Sequence, residues 1–177
     1  MPFLPVRFAA QTHLLGAALL WLLACGSVQA GGDDGSFGLR AEGSPEPGIT
    51  TAAQPTPEQL QALAEAGFTT VINLRTDDEM HFDEGDQVQS LGMNYHRIPI
   101  GSAADVNEDA ARQLDAYLAG ADGPVLVHCA TSNRVGALFA VREHLAGADT
   151  ETAVAKGKAA GLTSLEGRAR EVIEGNE

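Results

Sequence analysis

Two hydrophobic periods take turns along this chain from about residue 49 onward. Residues 56–67 read TPEQLQALAEAG, and Leu60 and Leu63 recur there at helical spacing among polar neighbours. Thr56 is placed to cap this helix. Pro57 sits at its first position, Gln59 completes a capping box and Gly67 stops it. The next segment, FTTVINL at 68–74, is rich in β-branched residues and bounded by turn signals, which predicts a buried strand. MNYHRIPI at 93–100 predicts a second strand, ended by Pro99, and PVLVH at 124–128 a third. Between these two, Asn107 caps a helix that runs through Leu118, with Ala111, Leu114 and Leu118 on one face and Gly120 as its stop. A helix over 135–145 turns Val135, Leu138, Phe139 and Leu145 inward. Two more helical stretches follow at 150–160 and 164–173, each weakened by a glycine, Gly157 or Gly167.

Strands alternating with helices predict an α/β fold: a central, largely parallel sheet flanked by helices. In such sheets ligands bind beyond the carboxyl ends of the strands. His128 and Cys129 lie at that end of the third strand.

The first 48 residues have a different character. Arg7 is the only charged side chain before an apolar run over 14–24, which is short for a bilayer span. Val28 and Ala30 suit the small-residue sites of a signal peptidase, so 1–30 is expected to be an export signal. The sequence Leu22-Leu23-Ala24-Cys25 also resembles a bacterial lipobox. That alternative would lipidate Cys25 and tether the protein to a membrane. Residues 31–48, rich in Gly, Asp, Ser and Pro, read as a flexible tether, which leaves 49–177 as the folded domain. The expected location is periplasmic or secreted. Cys129 is then the only thiol in an exported domain, a flag for reactivity.

Composition narrows the partners. The 177 residues are 44% hydrophobic and 20% charged, with a net charge of −13. That balance argues against nucleic acid, whose phosphates need basic surface.

The candidate chemistry lies in HCATSNRVGAL, 128–138. A strand feeds a small polar turn, and the turn feeds a helix N-terminus. The first amides of a helix have no internal acceptor and its dipole there is positive, so an anion is stabilised at that point. Thiols placed at such termini, or beside cations, ionise at roughly 3.5–7.5 instead of about 8.5. The turn amides of Ala130, Thr131, Ser132, Asn133 and Arg134 can form a nest, and the Arg134 guanidinium adds a planar clamp for an oxyanion. Cys129 is thus the candidate nucleophile and the loop is its oxyanion receptor. His128 is expected to orient the loop. As a lone histidine it would otherwise be an ordinary core side chain.

These residues resemble the signature loop of the cysteine-based protein tyrosine and dual-specificity phosphatases. The similarity is closer to a bacterial subgroup, the phosphatase-like domain of beta-lactamase hydrolase-like proteins. TAAQPTPEQLQALAEAGFTTVINLR, 51–75, looks like the opening of that domain. The resemblance spans roughly 49–162. It implies the cysteine-phosphatase fold, a nucleophilic role for Cys129 and an anion-clamp role for Arg134.

Four features depart from the phosphatase pattern. Such enzymes place five residues between Cys and Arg, and this chain has four. Ser132 stands where a loop glycine is common, so an easy left-handed position is lost. Val135 follows the arginine where Ser or Thr is usual. No acid is clearly fixed as proton donor. Asp105, on the loop after the second strand, lies near where dual-specificity phosphatases keep theirs. The acidic stretch RTDDEMHFDEGD at 75–86 offers Asp77, Asp78 or Glu79 instead, although a solvated acidic loop is the plainer reading. Arg75 is expected to pair with a neighbouring carboxylate. His81, Asp83 and Glu84 have no further ligand at metal spacing, so no metal or cofactor is expected.

A six-residue loop also resembles that of rhodanese-type sulfurtransferases, in which the cysteine carries a persulfide. Sulfur transfer tolerates all four departures. The functional expectations are therefore a phosphatase acting on a phosphorylated or small oxyanion substrate, then a sulfurtransferase, then a non-catalytic anion- or partner-binding domain of the same fold.

Overall fold

A computed structural model describes residues 37–175. The elements follow in the order β1 (Gly43–Glu46), β2 (Ile49–Ala52), α1 (Pro57–Glu65), β3 (Thr70–Asn73), α2 (Glu84–Ser90), β4 (Asn94–Arg97), α3 (Glu108–Ala119), β5 (Val125–His128), α4 (Asn133–Leu145), α5 (Thr150–Ala159) and α6 (Glu166–Ile173). The strands form one sheet in the order β1-β2-β5-β3-β4. β1 runs antiparallel to β2, and every other pairing is parallel. This is the α/β architecture that the alternating periods predict.

The sheet is the middle of three layers. Along β5 the side chains alternate: Leu126 packs with Leu60, Leu63, Val71, Val88 and Met93 on the face covered by α1 and α2. Val125 and Val127 join Ile72, Leu114, Leu138 and Phe139 on the face covered by α3 to α6. All four residues of β5 are buried, which is why PVLVH reads as one apolar run. Thr56 caps α1 as expected: its hydroxyl accepts from Gln59 N, and the Gln59 side chain accepts from Thr56 N.

Three segments depart from the sequence expectation. Part of the stretch expected to be a tether is sheet: β1 pairs with β2 as an edge strand, and Leu39 is buried. Pro45 and Pro47 hide it, because prolines demote a strand and edge strands tolerate them. β2 was too short to show an alternation. α2 begins in the last residues of the acidic stretch; Glu84 and Val88 are its buried residues, and no apolar stripe exists to announce a helix. The expected export signal and Cys25 lie outside the described residues.

The glycine that weakened the pattern of α5 is needed there. Helices α4 and α5 meet at Gly136 and Gly157. A Cβ on Gly136 would lie 2.0 Å from Leu162 N and 2.7 Å from Gly157 O. Backbone cannot yield as a side-chain end can. Gly136→Ala is therefore expected to lower stability by about 2 kcal/mol or more, read as a fall in the urea midpoint with an unchanged slope. An unchanged midpoint would contradict this packing.

Candidate active site

Parallel pairing sets the site. Ala52, His128 and Asn73 lie side by side at the carboxyl ends of β2, β5 and β3. The loops leaving these strands therefore converge. The 129–134 loop connects β5 to α4 within them.

The loop is fastened by its own side chains. Ser132 is in the left-handed region at φ 69°, a conformation that costs a non-glycine residue about 1–2 kcal/mol. Its hydroxyl donates to Ala160 O at 3.0 Å, which offsets part of that cost. Gly161 faces it at φ +100°, and a Cβ there would meet the Ser132 Cβ and Oγ at 2.6 Å. Asn133 accepts from Thr163 N at 2.8 Å and Leu165 N at 3.3 Å, and donates to Ser164 Oγ at 2.8 Å. Thr131 forms an isolated bridge with Ala53. The side chains of Ser132 and Asn133 thus hold the turn's shape, and any ligand contact from these two falls to their main chain.

Arg134 bends back over the loop. Its NH1 donates to Glu79 Oε2 and to Ile100 O, both at 2.7 Å, and its NH2 donates to Glu79 Oε1 at 2.7 Å. Glu79 also accepts from Thr76 N and Thr76 Oγ1, each at 3.0 Å. The Arg134 hydrogen bonds, with those from Thr76, draw the Glu79 carboxyl down to about 2 against the upward push of burial. In return Arg134 holds its proton above its ordinary value, chiefly through the Glu79 hydrogen bonds and against burial, with the nearby Cys129 sulfur adding to the effect. Of the five guanidinium N–H groups, three are used in these bonds, two from NH1 and one from NH2. The Nε–H and the second NH2 hydrogen remain. They point the same way along one edge, the arrangement that grips an oxyanion.

Behind the loop lies a buried polar group. His128 Nε2 and Glu84 Oε1 are 2.8 Å apart, and both side chains are 0% exposed. Asn73 Nδ2 donates to the same carboxylate at 3.1 Å and to Tyr95 Oη at 2.9 Å, and Gln54 donates to the other Glu84 oxygen. Burial pushes the Glu84 carboxyl up, but the His128 hydrogen bond and charge, with Gln54 and Tyr95, outweigh it and hold the group below its ordinary value. Arg75, also buried, donates to Gln54 Oε1 and Glu79 O. Its expected partner was a carboxylate; it takes an amide and a carbonyl. His128 Nδ1 is buried without a hydrogen-bond partner.

A cleft of about 400 Å³ opens beside Arg134 and is also lined by Asp78, Glu79, Ile100, Ser102 and Leu165. Cys129 is 0% exposed and is not among the residues that line this cleft.

The comparisons with known proteins identify the family and the fold. The family described as "Beta-lactamase hydrolase-like protein, phosphatase-like domain" matches residues 46–146. The chain belongs to this family. A curated beta-lactamase hydrolase-like protein of Agrobacterium fabrum is 32% identical over 104 residues, covering 56% of this chain and 24% of that protein. The chain thus aligns with about a quarter of that relative's length. The nma1982 protein of Neisseria meningitidis Z2491 superposes with a TM-score of 0.63 at 21% identity, covering 77% of this chain and 99% of its own. Kinase associated phosphatase does so at 0.57 and 15%, covering 72% and 85%. The fold is that of the dual-specificity phosphatases.

Within this phosphatase-like domain, three of the four acids singled out from the sequence, Asp105, Asp77 and Glu79, are bonded to other groups, and the fourth, Asp78, lines the cleft. Asp105 accepts from Gly101 N at 3.0 Å, Ser102 N at 2.8 Å and Ser102 Oγ at 2.9 Å. These bonds, the Ser102 hydroxyl first, hold its carboxyl below the ordinary range. Asp105 is fixed as the closure of a turn and stands outside the cleft lining. Asp77 pairs with Arg97. Sequence reasoning placed Glu79 and Glu84 among loop acids and missed that each anchors a residue of the Cys loop. The Thr76-to-Glu79 spacing, a capping box, was the available signal for Glu79. Among the described residues no group of three or more His, Cys, Asp or Glu could hold a metal ion.

A carboxyl drawn below its ordinary value stabilises the fold above that value and loses the contribution as pH falls toward the folded one. For Glu79 the window runs from 4.5 down to about 2. Glu79→Gln should therefore be less stable than the parent at neutral pH. The gap in urea midpoint should narrow steadily below the upper end of that window. A gap that stays constant with pH would show that the Arg134 pair is not formed in solution.

Proposed function

We propose that this domain is a cysteine-dependent phosphatase-like hydrolase acting on a phosphorylated or small oxyanion substrate, with Cys129 as nucleophile and Arg134 as clamp. The observation that carries the reading is the Arg134 guanidinium at the N-terminus of α4, held by Glu79 and Ile100 O through three of its N–H groups with its Nε edge left over, in the same loop as Cys129. An oxyanion seated between them would receive two parallel N–H groups and the turn amides. The Cys129 thiolate attacks phosphorus, and the bond to the leaving oxygen breaks. A phosphocysteine forms. Water then attacks it, releasing phosphate and the thiolate. Membership of a phosphatase-like family and the dual-specificity phosphatase fold support this chemistry.

Sulfur transfer through a Cys129 persulfide is the second reading. It is favoured by Asp105, whose carboxylate is occupied by three donors and so is not poised to protonate a leaving group. A sulfane sulfur needs no such donor. A third reading, binding without catalysis, is favoured by the complete burial of Cys129.

Purified protein and its Cys129→Ser variant, assayed on an aryl phosphate and on thiosulfate with cyanide, separate the three. The proposed reading expects phosphate release that falls by roughly a hundredfold or more in the variant. Cys129-dependent thiocyanate would move the assignment to sulfur transfer. No turnover of either, with an alkylation rate for Cys129 no faster than that of an unfolded thiol, would overturn both enzymatic readings.

A further inference from the structure

We propose that Asp78 makes the cleft select oxyanions that carry a positively charged group, an ammonium or guanidinium a few ångströms beyond the anion, over those that carry further negative charge. The inference rests on the oxyanion-binding reading of the Cys129 loop and specifies the rest of the substrate.

The cleft is lined by three charged side chains, Asp78, Glu79 and Arg134. Two of them cancel: Glu79 takes NH1 and NH2 of Arg134 in a bidentate pair. Three successive acids precede Met80, and the outer two are spent on structure, Asp77 on Arg97 and Glu79 on Arg134. The middle one, Asp78, is exposed and makes no hydrogen bond or ion pair among the described residues. Two charges of opposite sign lie near the opening but outside its lining, and both are hydrogen-bonded to neutral groups. Asp105 is bonded to Gly101 and Ser102, and Arg168 to Ala103 O and Val106 O, with Glu171 at 3.6 Å. Asp105 and Arg168 offset each other, and the lining itself carries one uncancelled charge, the negative of Asp78.

That balance has a consequence for recognition. The reacting anion would be received by main-chain amides and one guanidinium edge, and among the described residues no second cation lines the cleft. A nucleotide or bisphosphate would set its extra charge against an unpaired carboxylate. A substrate with its own cation would meet complementary charge instead, and discrimination follows from the repulsion as much as from the attraction. Asp78 lies on the cleft wall and is assigned no part in bond making.

The test uses the full chain carrying Cys129→Ser, so that binding is read without turnover. Its affinities for 4-(aminomethyl)phenyl phosphate and 4-carboxyphenyl phosphate are measured by calorimetry at low and high salt. The cationic probe should bind more tightly by roughly threefold to tenfold at low salt, and the ratio should shrink as salt rises. Adding Asp78→Asn should bring the ratio close to one, and Asp78→Lys should invert it. Equal affinities without the Asp78 change, or a ratio that survives Asp78→Asn, would overturn the assignment and leave the oxyanion loop standing. If neither probe binds, the oxyanion loop itself is rejected, and this inference with it.

Discussion

Two oxygens of one carboxylate face two nitrogens of one guanidinium, and the shape of the Cys129 loop depends on that contact. Arg134 belongs to the first turn of α4, and Glu79 to the turn that follows β3. Their bidentate pair ties the outlet of one strand to that of its neighbour. An exposed ion pair contributes little, because water and salt screen it. This one is better placed. Both groups are largely covered, Glu79 is also held by Thr76, and Arg134 also bonds Ile100 O. Holding the outer face of the guanidinium leaves its inner edge fixed in direction. A clamp aimed before its ligand arrives loses less freedom on binding.

The same loop rests on a second carboxylate. Glu84 is 0% exposed. A bare charge at that depth costs several kcal/mol, of order, unless it is bonded on all sides. It receives His128, Asn73 and Gln54. Gln54 passes the connection to Arg75, and Arg75 to the main chain of Glu79. Polar contacts therefore run from His128 through Glu84, Gln54, Arg75 and Glu79 to Arg134, so they join the two ends of the Cys129 loop. The parallel register makes this circuit possible, because it sets Ala52, His128 and Asn73 in one row and lets three loops share one end of the sheet. Buried polar sets of this kind stabilise a fold only when nearly all of their groups are satisfied. The exceptions here are Arg75 Nε and His128 Nδ1.

Much of this was legible in the residues. Alternating periods gave the layers, the capping box of α1 was visible letter by letter, and the Cys-to-Arg spacing located the loop. What stayed hidden has physical reasons. β1 is an edge strand with a proline inside it, so no alternation marks it. α2 buries a charged residue where a stripe should be. Glu79 and Glu84 look like solvated acids because their partners lie far along the chain, and pairing at that range is set by the sheet. Ser132 looked like a loss, a non-glycine in a left-handed position. Its hydroxyl bond to Ala160 O and the bare face of Gly161 show how the loop accommodates it. Asp105 sat at a plausible distance from the loop in sequence, but the turn around it claims its oxygens first.

The central claim is that Cys129 and the inner edge of Arg134 form one oxyanion seat while Glu79 keeps the outer face. The most direct measurement is a crystal structure of the protein soaked in tungstate, a tetrahedral oxyanion that cannot be turned over. The account predicts tungstate between the Cys129 sulfur and the Nε edge of Arg134, contacting the turn amides, with the Glu79 pair intact. Tungstate absent from the loop, or bound only after Arg134 has released Glu79, would contradict it.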